Sequence, residues 1–111
     1  MDNTAIIPDG ATVNKIILHM HAALQKDGVN PCHIALFGSF LHGGNHNESD
    51  LDIIIISESF EGRNLSERIK MTLNAEIEVR KQYAVPMDIL LKTPQEYSNP
   101  KMKFVESKII V

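Results

Sequence analysis

The first recurring pattern of apolar and polar positions in this chain is helical. Apolar residues recur at intervals of three and four near the start: Val13, Ile16, Ile17, Met20 and Leu24. This spacing predicts an amphipathic helix that begins near Thr12, and the basic Lys26 followed by Gly28 is typical of a helix end. We expect residues 1–10 to form a loosely held lead-in to this helix.

Two short apolar runs come next, on either side of a polar loop. The first covers Cys32–Phe37, and the second covers residues 50–56, which read Asp-Leu-Asp followed by four isoleucines. Short apolar runs that flank a loop of glycine, asparagine and histidine predict two strands. Beyond its aspartates the second run is apolar on both faces, which predicts a central strand covered on both sides.

A long second helix is predicted after a polar connection at residues 57–63. Asn64 and Glu67 have the spacing of a capping box, in which each side chain binds the other residue's backbone N–H. Four apolar residues then follow at intervals of four and predict a helix to about Gln82: Leu65, Ile69, Leu73 and Ile77. We expect the remaining face, which carries charges of both signs, to be solvated: Arg68, Lys70, Glu76, Glu78, Arg80 and Lys81.

The last part of the chain predicts a third strand and short helices. Residues 85–91 form an apolar run interrupted by Asp88, and Thr93 before Pro94 is a helix start. Asn99-Pro100 interrupts that helix, and a last short helix follows, with an apolar tail at residues 109–111. This tail either packs back, adds a strand or belongs to an interface. The elements together predict a two-layer α+β fold with a small mixed β-sheet and flanking helices.

Length and composition limit the possible classes of protein. The chain has 111 residues, of which 43% are hydrophobic, so we expect one domain with a modest core. Its formal net charge of −3 gives no broad field for nucleic acid. No apolar run has the length of a membrane helix, and the N-terminus lacks the pattern of a signal peptide, so we expect a cytoplasmic protein. His19 and His21 are expected to be solvated, and the lone Cys32 to be an inert thiol.

Candidate chemistry is concentrated around the first two strands. Asp50 and Asp52 lie on one face of the second strand, and hard carboxylate oxygens suit Mg²⁺. Gly38 and Ser39 follow the first strand, where a close backbone approach and a hydroxyl suit a phosphate. Asp88 has two interpretations. On an edge strand facing water it has no role, whereas beside the strand of Asp50 and Asp52 it completes a carboxylate triad.

These residues resemble a known signature. Gly38-Ser39, then ten residues, then Asp50-Leu51-Asp52 is similar to the motif of the DNA polymerase β-like nucleotidyltransferase superfamily, and in this compact form to its minimal nucleotidyltransferases. Gly43, Ser49 and the strand at residues 86–91 agree with the same pattern. The resemblance covers residues 34–92 and implies a nucleotidyltransferase fold, with residues 1–111 as a single minimal domain.

The resemblance also implies an activity and its residues. Asp50, Asp52 and Asp88 would hold two Mg²⁺ ions and act in catalysis. Gly38, Ser39 and His42 would bind the phosphates of a nucleoside triphosphate, although the family commonly has arginine where this chain has His42. The implied reaction moves AMP from ATP to a hydroxyl of an acceptor.

The implied acceptor is a tyrosine of a helical partner protein of the HEPN type, which makes the chain an antitoxin. A second copy of the chain is the other partner expected. The alternative function is a binding protein of the same fold that neutralises its partner by contact, with weak or no turnover. His42 and the small size favour this alternative, whereas the presence of all three carboxylates argues against it.

Overall fold

A four-stranded mixed sheet with helices on both faces forms the framework of the protein. The computed structural model describes residues 10–30, 32–38, 51–104 and 106–111. In chain order the elements are α1 (Gly10–Lys26), β1 (Cys32–Phe37), β2 (Leu51–Ser57), a 3-10 helix (Glu58–Phe60), α2 (Leu65–Gln82), β3 (Met87–Lys92), α3 (Pro94–Ser98), a second 3-10 helix (Pro100–Phe104) and β4 (Ser107–Ile109). The predicted α+β class and mixed sheet are confirmed.

The strand order in the sheet is β3-β2-β1-β4. β2 is therefore central, paired antiparallel with β1 and parallel with β3. β4 pairs antiparallel with the far side of β1, and the Ile110 N–H donates to the Ile34 carbonyl at 2.9 Å. The C-terminal tail both adds to the sheet, with Ile109 in β4, and packs back, with Ile110 and Val111 against the main core.

The two faces of the sheet bury different sets of residues. On the first face, β2 contributes Leu51, Ile53 and Ile55, which pack against α1 and α2 in the main core. On the second face, Ile54 and Ile56 belong to a smaller cluster with residues of β1, β3, α3 and the second 3-10 helix. β2 is covered on both faces, as its uninterrupted apolar run predicts.

α1 buries the predicted stripe, since all five of its residues are at most 5% exposed. The helix includes Gly10, so Thr12 lies within it and is not its cap. At its end, the Val29 N–H bonds the Leu24 carbonyl and the Gly28 N–H bonds that of Gln25, with Gly28 at φ 87°. This is the Schellman arrangement, in which glycine takes the left-handed conformation at no steric cost.

The prediction that His19 and His21 are solvated is wrong. Both side chains are half-buried, and each has a hydrogen-bond partner. His19 Nε2 lies 2.8 Å from Glu78 Oε2 of α2, and His21 Nε2 lies 2.7 Å from the Cys32 carbonyl of β1. Both histidines lie off the apolar stripe of α1, but they are partly shielded from water because α2 and β1 approach α1 on that side.

The orientation predicted for α2 is also wrong, although its bounds and its capping box are confirmed. The stripe of Leu65, Ile69, Leu73 and Ile77 is 43% to 65% exposed. The buried residues of this helix are Thr72, Ala75 and Val79, which are small enough to let it lie close to the sheet. The charged face is correspondingly not all solvated, since the Arg68 side chain is only 12% exposed.

The connection after β2 is mostly polar in sequence, but it contributes one residue to the main core. Phe60, in the 3-10 helix, is fully buried in the main core, and the Arg68 guanidinium lies 5.8 Å from its ring centroid. Within the described ranges, none of the helices has the length and apolar content needed to span a membrane. Of the lead-in predicted at residues 1–10, residues 1–9 lie outside the described residues, and Gly10 already belongs to α1.

Candidate functional site

Two of the predicted carboxylates lie opposite each other on neighbouring strands. Asp52 of β2 and Asp88 of β3 are direct partners in the parallel register. Side chains of paired residues lie on the same face of a sheet, so both carboxylates belong to the second face, with Ile54 and Leu90. Asp52, on the central strand, is half-buried, and Asp88, on the edge strand β3, is exposed. The observed position of Asp88 combines the premises of the two interpretations. Asp88 lies on an edge strand and faces water, and it also lies beside Asp52.

The two aspartates belong to a row that crosses the whole sheet. Phe37 of β1 is paired with Asp52 on one side and with Ser107 of β4 on the other. The row therefore reads Asp88, Asp52, Phe37, Ser107 from edge to edge. Neighbouring strands lie about 4.8 Å apart, so adjacent members of this row are near neighbours. Acidic oxygens occupy one end of the row, and an aromatic ring and a hydroxyl occupy the other.

Gly38 fits directly beneath the Asp52 side chain. Its φ is 72°, in the left-handed region. A Cβ built on this residue would overlap the Asp52 carboxylate oxygen and lie 2.9 Å from its Cγ. Glycine at this position thus has two causes, the backbone conformation and the close approach of the carboxylate. The sequence-based proposal that Gly38 permits a close approach holds, but the group that approaches in this structure is Asp52.

The remaining predicted site residues, Asp50, Ser39 and His42, lie outside the described residues. Within the described ranges, three His, Cys, Asp or Glu side chains do not come together in a group that could hold a metal ion. Asp52 and Asp88 are the two members of the predicted triad that lie within the described residues. Their donor set fits a divalent cation, because Mg²⁺ takes one or two protein carboxylates and completes its shell with water and phosphate oxygens.

The carboxylate face is closed on one side by α3. Thr93 caps this helix, and its side chain and that of Glu96 form a capping box. The Arg68 guanidinium donates to both oxygens of Glu96, at 2.6 and 3.2 Å, and this hydrogen bonding lowers the pKa of the Glu96 carboxyl. The same guanidinium donates to the Leu91 carbonyl at 3.1 Å. α3 is thereby fixed to α2 and β3.

Three residues of this face were not singled out from the sequence: Phe37, Tyr97 and Ser107. The Tyr97 hydroxyl lies 2.7 Å from the Ser107 Oγ, so α3 and β4 are joined at the end of the row. Phe37 directly precedes Gly38 and could have been placed by counting back along the strand. Ser107 has no such signal, because its position follows from the pairing of β4 with β1. Tyr97 has none either, because its position depends on how α3 packs on the sheet.

Cys32 is not a candidate nucleophile. It is buried at the first position of β1, and burial raises the pKa of its thiol to about 11. A thiol with so high a pKa is almost wholly protonated at neutral pH and therefore unreactive. The prediction of an inert cysteine agrees with this environment.

The comparison with protein families gives the class of this protein. The model of the nucleotidyltransferase domain family matches residues 22–111, which include the whole sheet and all three acidic positions. The chain belongs to the nucleotidyltransferase domain family. The resemblance seen in the sequence motif is thereby confirmed. Proteins of this family act on nucleoside triphosphates and usually use a divalent metal ion.

Solved structures with a similar fold are known. A presumptive nucleotidyltransferase from Sulfolobus solfataricus is 15% identical, with a TM-score of 0.63 over 87% of this chain and 78% of its own. Another presumptive nucleotidyltransferase is 21% identical, with a TM-score of 0.56 over 86% of this chain and 97% of its own. At these identities the likeness shows the fold alone. No curated protein sequence matches the chain.

A protein of a different name has a similar fold. BolA1 from Arabidopsis thaliana is 25% identical, with a TM-score of 0.51 over 73% of this chain and 94% of its own. The fold by itself therefore does not define an activity, since one architecture supports many functions. For this chain, the family model over residues 22–111 carries the assignment to nucleotidyltransferases.

Proposed function

We propose that this protein is a Mg²⁺-dependent nucleotidyltransferase that moves AMP from ATP to a hydroxyl group of a partner protein. The partner we propose is a helical protein of the HEPN type, and the transfer would make this chain its antitoxin. The observation that carries the proposal is the register that pairs Asp52 with Asp88. It brings carboxylates from two neighbouring strands to one face of the sheet, beside Gly38. We further propose that the chain is a single minimal domain.

The proposed chemistry is a displacement at the α-phosphorus of the triphosphate. The acceptor oxygen forms a bond to this phosphorus, the bond to the bridging oxygen breaks, and pyrophosphate leaves with the electron pair. Bound Mg²⁺ would neutralise charge on the phosphate oxygens. Asp50, Asp52 and Asp88 would hold the metal ions. Asp88, the exposed carboxylate of the pair, would face the acceptor and take the hydroxyl proton.

The phosphates would be bound at the turn that follows β1. Gly38 lies beside Asp52, and Ser39 and His42 follow it in the sequence. A histidine is only partly charged at neutral pH, so a phosphate contact from His42 would weaken as the pH rises. The alternative function, neutralisation of the partner by contact without turnover, follows if this contact is too weak for catalysis.

The two functions are separated by a labelling experiment. The protein is incubated with ATP labelled at the α-phosphate, Mg²⁺ and a HEPN-type protein encoded next to it. Transfer predicts label on that protein, and loss of the label with Asp52→Asn or Asp88→Asn. Asp27→Asn, which changes an exposed aspartate at the end of α1, is the matched control and should keep full labelling. Neutralisation that survives the Asp52 and Asp88 changes, with no label, supports binding by contact.

Metal binding gives a second readout that does not depend on turnover. Added Mg²⁺ should raise the melting temperature of the unchanged protein, because a ligand that binds only the folded state stabilises it. Asp52→Asn should remove this effect, and Asp27→Asn should not. If Mg²⁺ leaves the melting temperature of the unchanged protein and of the Asp52→Asn variant equally unaffected, the metal site we propose does not exist.

A further inference from the structure

Four of the six exposed large hydrophobic residues in the described part of the chain lie on one helix. These are Leu65, Ile69, Leu73 and Ile77 of α2, which we call the α2 surface. Residues spaced by four drift about 40° per step around a helix of 3.6 residues per turn. The α2 surface therefore begins beside β3, at Leu65 and Ile69, and winds outward to Leu73 and Ile77. Contiguous exposed apolar residues of this kind mark sites of association.

The first half of the α2 surface forms one wall of a groove. The groove has a volume of about 460 Å³ and runs between α2 and the edge strand β3. Leu65 and Ile69 line it from the helix, and Ile89 and Leu91 line it from the strand. A molecule that binds in this groove must therefore present a convex, apolar surface to it. A helix that projects leucine-like side chains has this shape.

The open edge of β3 is already guarded against a further strand. The Leu91 carbonyl accepts a hydrogen bond from Arg68 Nη1 at 3.1 Å, and the Met87 carbonyl accepts one from Arg80 Nη2 at 3.4 Å. Added strands bind through the edge N–H and C=O groups, so guanidinium groups at two of the carbonyls disfavour this mode. The groove accordingly suits side chains from a helix better than an extended peptide.

The charges around the α2 surface are mainly basic. Lys70, Arg80 and Lys81 are exposed on the same helix, and Lys92 lines the groove. The neighbouring carboxylate, Glu76, is 17% exposed and lies 2.7 Å from the Thr72 hydroxyl and 4.0 Å from Arg80. This basic surface belongs to a protein whose formal net charge is −3. A second copy of α2 would bring like charges together, whereas an acidic partner would be attracted.

We propose that the α2 surface and its groove dock an acidic amphipathic helix of another protein. The apolar side of that helix would enter the groove and cover Leu73 and Ile77. Its acidic flanks would face Lys70 and Lys81. The helix that carries this surface packs on the face of the sheet that α1 also covers, whereas Asp52 and Asp88 lie on the other face. The inference therefore does not rest on nucleotide transfer.

The test uses three synthetic peptides of about 18 residues, or five turns, long enough to cover the stripe. The first has leucines at intervals of three and four with glutamates on both flanks. The second has lysines in place of the glutamates, and the third is the first with a central proline, which breaks the helix. Fluorescence anisotropy with the full chain should show binding of the acidic helix alone, weakening as salt is raised.

Variants then locate the binding. Leu73→Ser combined with Ile77→Ser should weaken binding about tenfold or more, a loss of about 1.4 kcal/mol. Leu18→Ser is the matched control, because Leu18 is 54% exposed on α1 and lies outside the α2 surface. Lys70→Glu combined with Lys81→Glu should reverse the preference toward the basic peptide. Melting curves would verify that each variant is folded.

Several outcomes would overturn the proposal. Equal binding of the acidic and basic helices removes the role of charge, and no binding of the acidic helix removes the docking site itself. Dimerisation of the chain in sedimentation that the Leu73 and Ile77 changes abolish would assign the surface to a second copy. Binding to anionic vesicles that the same changes abolish would assign it to a membrane surface.

Discussion

The carboxylate of Asp52 occupies the space that a side chain on Gly38 would fill. A substitution at residue 38 therefore meets two penalties, a left-handed backbone at φ 72° and an overlap with Asp52. We expect Gly38→Ala to displace the Asp52 side chain and to abolish nucleotide transfer and Mg²⁺-dependent stabilisation. The backbone alone should cost about 1–2 kcal/mol in the free energy of unfolding.

The control for this prediction is Gly62→Ala. Gly62 has nearly the same backbone conformation, with φ 74°, but nothing lies within 4 Å of a Cβ built on it. It should show the backbone cost without any effect on Mg²⁺ binding or transfer. Denaturant unfolding and Mg²⁺ titration of both variants measure the two effects separately. Equal Mg²⁺ responses would contradict the special role of the contact between Gly38 and Asp52.

The Arg68 side chain is expected to contribute to stability through several contacts at once. It binds both Glu96 oxygens and the Leu91 carbonyl, and it is 12% exposed. Arg68→Ala should lower the free energy of unfolding by about 1.5 kcal/mol, the low end for charged hydrogen bonds, because Glu96 is partly solvated. Arg63→Ala, at the exposed pair with Glu67, should leave the melting temperature unchanged.

The same contact predicts a dependence of stability on pH. Hydrogen bonding from Arg68 lowers the pKa of Glu96 below its usual value of 4.5. The unfolded chain therefore binds the proton first, so this contribution is present above pH 4.5 and is lost as the pH falls through the folded pKa. Glu96→Gln retains an acceptor for the cap of α3 but should flatten the loss of stability below pH 4.5 in acid titrations. An unchanged acid limb would show that Glu96 does not contribute.

Phe60 is expected to be a principal core residue despite its position in a polar connection. Its side chain is fully buried, so Phe60→Ala should cost about 3–5 kcal/mol in the free energy of unfolding. Leu65→Ala is the control, since Leu65 is 65% exposed. It should change stability little in the same urea titration. A small effect of Phe60→Ala would mean that the core relaxes into the space left by the ring.

Cys32 is expected to resist thiol reagents in the folded protein. Burial raises its thiol pKa to about 11, and the thiolate is the reactive form. The rate of reaction with a disulfide reagent should keep rising through pH 10, whereas a solvated thiol reaches a plateau near pH 9. In denaturant one thiol should react at the rate of an unfolded peptide. A plateau near pH 9 in the folded protein would indicate a solvated Cys32.

Local chemistry made much of the fold predictable. The capping box at Asn64 and the helix start at Thr93 depend on residues close in the chain, and both form as the sequence predicts. Glu96 completes a second capping box with Thr93, which was not predicted. β1 coincides with the predicted apolar run, and β2 begins and ends within one residue of the prediction. Such signals are strong because the interacting groups are neighbours in the chain, so few alternative arrangements compete.

The candidate site was predictable in its members but not in its arrangement. Asp52, Asp88 and Gly38 stand out in the sequence by residue type and spacing. That Asp88 lies opposite Asp52 is a property of strand register, which depends on β2 and β3 pairing across 35 intervening residues. The roles of these three residues and of Asp50, Ser39 and His42 remain predictions, as do the metal ions, the acceptor and the HEPN-type partner.

The sequence by itself determined the main helices, strands β1 to β3, the caps of α2 and α3, the central position of β2 and the family signature. Each of these depends on residues close in the chain or on a run of one type. Only the tertiary structure decided that α2 buries Thr72, Ala75 and Val79 and leaves its larger stripe outside. Periodicity tells which residues share a face of a helix. Which face is buried depends on how closely the helix can approach its neighbours, and here the small side chains allow the closer packing.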